Sequence, residues 1–338
     1  MAEPSTANAR EGGCMDIPVV LSHRTAWLFY HAPHRLDAMR SGTDYGISAF
    51  GIPAREVGRR ICRFLLDCGV PQDELDSLDI LVAMDFVRTN AQTTIFKPHV
   101  FGALVTAHDV HEVVPGLCVV RESLCFMQAS GWMSDLEQIQ YGYELCGRYE
   151  TALGRDGHVE RAPVLSCKDI RLYLDAHKGL RGAKRAKSAL TRVRDRSRSP
   201  METATALMIV LPRKMGGLGY RGITLNEPLV VPEASRQFTR STKLEVDILA
   251  VRKRVGVEYD GDDHASAMQR ARDAERMTTL ASMGLRMHVI TKVQFAEQLL
   301  LHRSLNAIAR DLGVPIDTSR AFQLAQNELR SELIKDWK

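Results

Sequence analysis

The sequence predicts an α/β protein: an N-terminal mixed α/β domain, a basic helical linker, and a C-terminal domain in which a central mixed sheet is flanked by helices. Three observations lead there. The chain has 338 residues, enough for two cores, since a single compact domain most often holds roughly 100 to 150 residues. Apolar runs with the period of a helix alternate with runs with the period of a strand, the pattern of sheets covered by helices. Basic residues are concentrated between the two patterned regions rather than spread along the chain. The expected boundaries are a disordered tail over 1–16, the mixed domain over 17–160, the basic linker over 161–198, the second sheet domain over 199–298 and C-terminal helices over 299–338.

The first sixteen residues are small and polar and lack the basic start and apolar centre of an export signal. Met15, just before the first patterned segment, is a candidate alternative start. Residues 17–21 form a short apolar run, and Ser22 is placed to cap a helix carrying Ala26, Leu28 and Phe29. Pro53 opens a second helix, in which Val57, Ile61, Leu65 and Cys68 recur at helical spacing before Gly69 stops it. Short strands are expected at 80–84, 110–114 and 117–120. Ser134 and Glu137 have capping-box spacing, and Leu136, Ile139, Tyr143 and Cys146 form the apolar stripe behind them. His23, His31, His34, His99, His108 and His111 are scattered, which suits structural or surface roles. The seven cysteines are odd in number and form no pair with two intervening residues, so they read as reduced core thiols rather than disulfides or zinc ligands. No apolar run approaches the roughly 20 residues that span a bilayer. The expectation is a cytoplasmic protein with no membrane partner.

Residues 150–160, polar and with two glycines, read as a linker. The net charge of +4 hides an uneven distribution: residues 168–198 hold eleven Lys or Arg against three Asp, leaving 34 basic and 38 acidic residues elsewhere. Such a local excess suits a patch that meets phosphate, and equally a solvated helix face. Residues 184–193 are rich in Ala, Lys, Arg and Leu and should be helical, with basic residues all round rather than opposite one apolar face. Lys178, Arg181, Lys184, Arg185, Lys187 and Arg192 are the candidates for binding a nucleic-acid backbone.

Beyond Ser199 the sequence becomes chemically specific. Ser199-Pro200-Met201-Glu202 is a strong helix start, with serine at the cap, proline at the first helical position and a carboxylate three residues after the cap. The apolar run 204–211 continues that helix until Pro212. Gly216, Gly217 and Gly219 do not precede a helix, so they are turn residues rather than a phosphate-binding loop; a short strand follows at 229–231. Residues 244–249 and 255–260 both alternate with period two. A turn centred between Arg252 and Lys253 places Asp247 opposite Glu258, with Glu245 and Asp260 extending the same face. Facing carboxylates cost on the order of 0.2 to 1 kcal/mol unless a cation lies between them. A hard divalent ion would reverse that penalty; side chains turned to solvent and paired with arginines would avoid it.

Glu202 in Ser-Pro-Met-Glu, Asp247 in Leu-Glu-Val-Asp-Ile, and Val-Glu-Tyr-Asp-Gly followed by His264, Arg272, Asp273 and Arg276 resemble the nuclease-related domain of the PD-(D/E)XK superfamily that is similar to very-short-patch repair endonucleases. The resemblance covers roughly residues 199–295. It implies a restriction-endonuclease-like fold, with magnesium (or manganese) held by Asp247 and Glu258 and with Glu202 as the helical acid. The basic helix leading into Ser-Pro-Met-Glu-Thr, behind an N-terminal mixed domain, also resembles bacterial proteins loosely related to the antitoxins of abortive-infection systems, which leaves room for a toxin or another protein as partner. One departure stands out. The superfamily usually carries a lysine two residues after the second acid, where this chain has Asp260.

The expected function is therefore metal-dependent cleavage of DNA, with Glu202, Asp247, Glu258, Asp260 and His264 as the catalytic set and with Glu202 joining Asp247 and Glu258 as a further metal ligand or water holder. The alternative is a catalytically inactive DNA-binding regulator on the same fold. His264 is suited to proton transfer near neutral pH, or to capping the helix that runs to about Ser282. Arg272 and Arg276, one turn apart, would hold a phosphate or pair with Asp273 and Glu275. A strand over 285–290 should close the core, with Lys292 beyond it as a substitute for the missing lysine.

Overall fold

Burial of the first apolar run sets the centre of the N-terminal unit, which ends at Arg121. The structure is a computed structural model and describes residues 19–40, 55–82, 95–103, 105–106, 108–261 and 267–335. β1 (Val19–Leu21) is buried throughout. Ser22, in extended conformation, stands at the N-cap position of α1 (His23–Tyr30) without a side-chain capping bond, and Ala26, Leu28 and Phe29 of that helix are buried. After α2 (Arg35–Arg40) comes α3 (Arg55–Asp67), with Ile61, Phe64 and Leu65 inward. Gly69 ends that helix at φ +94°, where a Cβ would press on Pro33. β2 (Leu78–Val82), β3 (Phe96–Val100), β4 (Val110–Val114) and β5 (Leu117–Val120) complete a sheet of order β3-β2-β1-β5-β4. It is mixed: β1 runs parallel to β5 and β2 to β3, whereas β1–β2 and β4–β5 are antiparallel. Strand β3 has no clean alternation in sequence, because Lys97, Pro98 and His99 interrupt it. It lies at an edge, where proline is tolerated. The expected tail, Pro53 and the last two residues of the strand expected at 80–84 lie outside the described residues.

The second unit begins at Glu122, earlier than the boundary near 160 that composition suggested. The reason is packing. α4 (Glu122–Ala129) and α5 (Asp135–Cys146) lie against α6 (Cys167–Ala176) and α7 (Ala183–Leu190), and α5 also meets α8 (Pro200–Val210). The capping box of Ser134 and Glu137 forms as expected. Residues 150–160 are part of a short antiparallel pair, β6 (Tyr149–Glu150) with β7 (Val159–Glu160). The basic segment is two helices joined by a turn rather than a linker. In α7, Ala183, Ala186, Ala189 and Leu190 are buried while Lys184, Arg185 and Lys187 are exposed, so the helix has an alanine-lined inner face that the all-round reading missed.

Helix α8 starts as its cap pattern dictates, with Ser199 Oγ accepting the Glu202 N–H at 3.1 Å, and is buried from Glu202 to Val210. An apolar run with no periodicity belongs to such an enclosed helix. Gly216 turns the chain at φ +89°, where a Cβ would lie 2.3 Å from the Ala325 carbonyl oxygen. The remaining elements are β8 (Thr224–Leu225), β9 (Leu229–Val230), β10 (Lys243–Leu244), β11 (Ile248–Ala250), β12 (Val255–Asp260), α9 (Ala267–Ser282), β13 (Arg286–Thr291), α10 (Lys292–Ala296), α11 (Gln298–Leu312) and α12 (Arg320–Ile334). The main sheet has the order β13-β12-β11-β8, with β12 and β13 parallel and the other pairs antiparallel. Helices α8 and α11 pack on β12, and α9 and α11 on β13. The expected α/β architecture, with helices flanking a mixed sheet, is present. The strand expected at 244–249 is broken, however. The Asn226 N–H reaches the carbonyls of Val246 and Asp247 at 3.1 and 3.2 Å, so β10 pairs with β9 while β11 joins the main sheet. Among the described residues no helix is long and apolar enough to cross a membrane.

Candidate metal centre

Strands β11 and β12 pair Ile248 with Val257, Leu249 with Gly256 and Ala250 with Val255. This is the register expected from a turn centred between Arg252 and Lys253, and one step further it sets Asp247 against Glu258. The turn is a single 3-10 turn over Val251–Lys253, closed by Arg254 at φ +57°. Asp247 lies just ahead of β11, where its Oδ2 accepts the Tyr259 N–H at 2.9 Å. Glu258, on β12, meets Arg276 from α9: Nη1 lies 2.5 Å from Oε1 and donates to Oε2 at 2.6 Å. Oε1 is buried and has no directed hydrogen bond. Arg276 also donates to the Glu245 carbonyl, and the Glu245 carboxylate is ion-paired with Arg198.

Glu202 approaches from α8. Its Oε2 accepts the Arg198 N–H at 2.9 Å and the Asn226 Nδ2 at 2.6 Å. Asn226 is buried, in a left-handed conformation at φ +47°, and its amide also donates to the Arg196 carbonyl at 3.0 Å. Asparagine tolerates that backbone region better than most residues. The outcome is a buried polar lattice in which one asparagine ties α8 to the approach to β11.

Electrostatics unite the three acids. Burial pushes the Glu202 carboxyl up from 4.5 to about 7, and the Asp247 charge adds to the rise, against the opposing Arg198 N–H, the Asn226 amide and the Arg198 charge. Burial also raises Asp247, opposed by the Tyr259 N–H, Arg276 and Arg198. Glu258 is raised by burial first, then held back by Arg276, with Asp247 and Asp273 adding to the rise. Burial is the first cause of all three shifts, and clustered buried acids of this kind occur both at functional sites and in structural polar networks.

Comparison of the chain with protein-family models, curated proteins and solved structures finds no match.

The structure therefore has to speak through its own residues. Glu202, Asp247, Glu258 and Arg276 are brought together. Among the described residues the three carboxylates do not close to the spacing of a single ion, because Oε2 of Glu202 is drawn into the helix cap. Asp260 is exposed at the end of β12, and Lys292 is exposed at the start of α10. His264 lies outside the described residues. Arg272 is exposed on α9 and touches only the sulfur of Met268 among the contacts described, at 3.7 Å, while Arg276 turns inward to Glu258 rather than pairing with Asp273 or Glu275.

The basic candidates divide in the same way. Lys178, Arg181 and Lys184 are exposed, and Lys187 is ion-paired with Asp175. Arg185 is a structural clamp: it donates to the carbonyls of Ser130 and Met133 at 2.5 and 2.9 Å and to Asp135 at 2.8 Å. Arg192 bonds the Ser188 carbonyl of its own turn at 2.9 Å. Sequence reasoning missed Arg198 and Asn226. Arg198 stands just before the capping serine, a position where only the fold reveals its partner. The one available signal for Asn226 was an asparagine between two strands, a residue type that suits a positive φ.

Proposed function

We propose that the C-terminal unit is a magnesium-dependent phosphodiesterase acting on DNA, in the manner of the PD-(D/E)XK nucleases its motifs resemble. The observation that carries the proposal is that Asp247 and Glu258 lie together at the end of the β11–β12 ladder, whose register continued one step past Ile248–Val257 would oppose them, with both carboxyls raised. The donor set fits the ion. Magnesium is bound through one or two carboxylates plus waters and phosphate oxygens, and Glu258 Oε1 is a buried acceptor without a directed donor. Asp247 and Glu258 would hold the ion. Glu202, committed to its cap and with its carboxyl pushed up to about 7 by burial, would act as a buried acid that orients the Asp247 side. Bound magnesium would supply a Lewis acid that lowers the pKa of water and stabilises phosphate charge. Arg276 limits the repulsion between the two acids, His264 would carry protons, and Lys178, Arg181 and Lys184 would meet the DNA backbone without reading sequence.

The test is incubation of the full chain with supercoiled, linear and single-stranded DNA in magnesium or manganese. Cleavage that disappears in Asp247→Asn and Glu258→Gln supports the proposal, and cleavage of none of these DNA forms removes the enzyme reading. A second reading, a DNA-binding regulator without turnover, is favoured by one observation: Arg276 already neutralises Glu258, and Asp260 stands where the lysine belongs. Calorimetry separates the two. Magnesium uptake lost in Glu258→Gln supports the first, and DNA binding with no site-specific uptake supports the second.

A further inference from the structure

A second cluster lies apart from the carboxylates, where the C-terminus of α5, the N-terminus of α6 and the loop before α8 meet. Cys146 is the last residue of α5 and Cys167 the first of α6; their sulfurs are 3.8 Å apart. A carboxylate oxygen of Asp195 comes within 4.8 Å of both sulfurs, and among the described residues this is the one convergence of three such ligand atoms. The cluster is built rather than incidental. Asp195 Oδ1 accepts the Cys167 N–H at 2.7 Å, which leaves Oδ2 for another partner. The Arg196 N–H bonds the Cys146 carbonyl at 3.0 Å and the Arg148 N–H the Ser197 carbonyl at 2.6 Å, so the backbone just after Asp195 is pinned to the end of α5. Tyr143, one turn before Cys146 on the same helix, is fully buried, and its hydroxyl has no hydrogen-bond partner among the described residues.

The sulfur spacing, that of two thiols in hydrogen-bond contact, excludes a closed disulfide and also matches two ligands of one ion. A disulfide requires an S–S distance of about 2.05 Å, far shorter than the separation here. Tetrahedral zinc with Zn–S bonds of about 2.3 Å spaces its two sulfurs about 3.8 Å apart, the edge of the tetrahedron. Cys146 is buried while Cys167 is only half-buried, so the cluster has a closed side and a side toward solvent.

We propose that Cys146, Cys167 and Asp195 bind one zinc ion, or another thiophilic divalent cation, with a fourth position left to water. Binding forms two Zn–S bonds and one Zn–O bond and releases the two thiol protons to solvent; nothing is oxidised or reduced. The Tyr143 hydroxyl is the buried polar group available to a metal-bound water. The ion would fasten α5, α6 and the loop that leads into Ser199 and Glu202, and so brace the helix start that carries the buried acid. This inference does not depend on the proposed nuclease activity.

The experiment uses the reduced, metal-free full chain titrated with cobalt(II), followed by displacement with zinc in the presence of excess magnesium. One equivalent should give intense sulfur-to-cobalt charge-transfer absorption with the visible bands of a tetrahedral centre. Zinc should abolish both and magnesium neither, since an ion held by Asp247 and Glu258 has no sulfur ligand. Cys167→Ser, at the more exposed position, and Asp195→Asn should each weaken zinc binding at least about tenfold, the lower end of what even an indirect partner of a metal site costs, with circular dichroism confirming the fold. Absence of the charge-transfer band in the parent protein, or an unchanged spectrum and affinity in Cys167→Ser, overturns the proposal. So does quantitative closure of a Cys146–Cys167 disulfide by oxidised glutathione in a protein that takes up no metal.

Discussion

Replacing Glu202 by glutamine tests the buried acid cluster without any assumption about DNA. Glutamine keeps an oxygen to accept the Arg198 N–H and the Asn226 amide but cannot ionise. A carboxyl raised from 4.5 to about 7 corresponds to about 3 kcal/mol, at roughly 1.4 kcal/mol per tenfold change in proton affinity. The sign follows from linkage: the folded state holds this proton more tightly than the unfolded chain, so its contribution is most favourable below pH 4.5. It is lost as pH rises through the interval to about 7. Glu202→Gln should therefore match the parent near pH 4.5 and exceed it by about 2 to 3 kcal/mol near pH 8. The measurement is urea unfolding in metal-free buffer across that range, with hydrogen exchange of the α8 amides locating the effect in the unit that holds Glu202. Asp247→Asn, which removes the charge second in importance for the shift, should reduce the pH slope. Parallel pH profiles for the parent and Glu202→Gln would refute the account of a raised, Asp247-coupled acid.

Four further outcomes follow from the same structure. Because Asp247 and Glu258 are raised, magnesium must displace protons from them as pH falls; affinity should climb as pH rises above the ordinary carboxylate range, and calorimetry in buffers of different ionisation heat should register proton release. Arg185→Ala removes three hydrogen bonds to the Ser130–Asp135 segment and, discounted for its partial exposure, should destabilise the second unit by roughly 1 to 2 kcal/mol. Lys184→Ala should instead leave unfolding unchanged within about 0.5 kcal/mol while lowering the salt dependence of DNA binding by about one phosphate contact. Gly216→Ala forces a side chain into a positive φ and against the Ala325 carbonyl, and should cost about 2 kcal/mol or more in thermal or urea unfolding.

Much of the second unit was legible because its signals are local. The cap at Ser199, the two alternating runs and the two-fold parity of the turn at Arg252 and Lys253 require only neighbours in sequence, and they suffice to set the register of β11 and β12. The break at residues 245–247 was not legible, since it depends on Asn226, just past the neighbouring strand β8, supplying its N–H. The basic segment misled for a related reason. Its alanines carry no strong apolar signal, yet they are the face that packs on α4 and α5, and one of its arginines is a clamp rather than a phosphate ligand.

What the sequence determined by itself was the α/β class, the buried helix that starts at Ser199, and the register of β11 on β12. Periodicity, capping and turn parity are properties of adjacent residues, so they survive without knowledge of the fold. Tertiary structure alone decided the partners of the acids: Arg276 neutralises Glu258, Arg198 neutralises Glu245, and the neutral Asn226 amide donates a hydrogen bond to Glu202. It alone brought together Cys146, Cys167 and Asp195, which are up to 49 positions apart in the chain. Proton affinity and metal chemistry depend on distance and burial in space, and no pattern of neighbours encodes them.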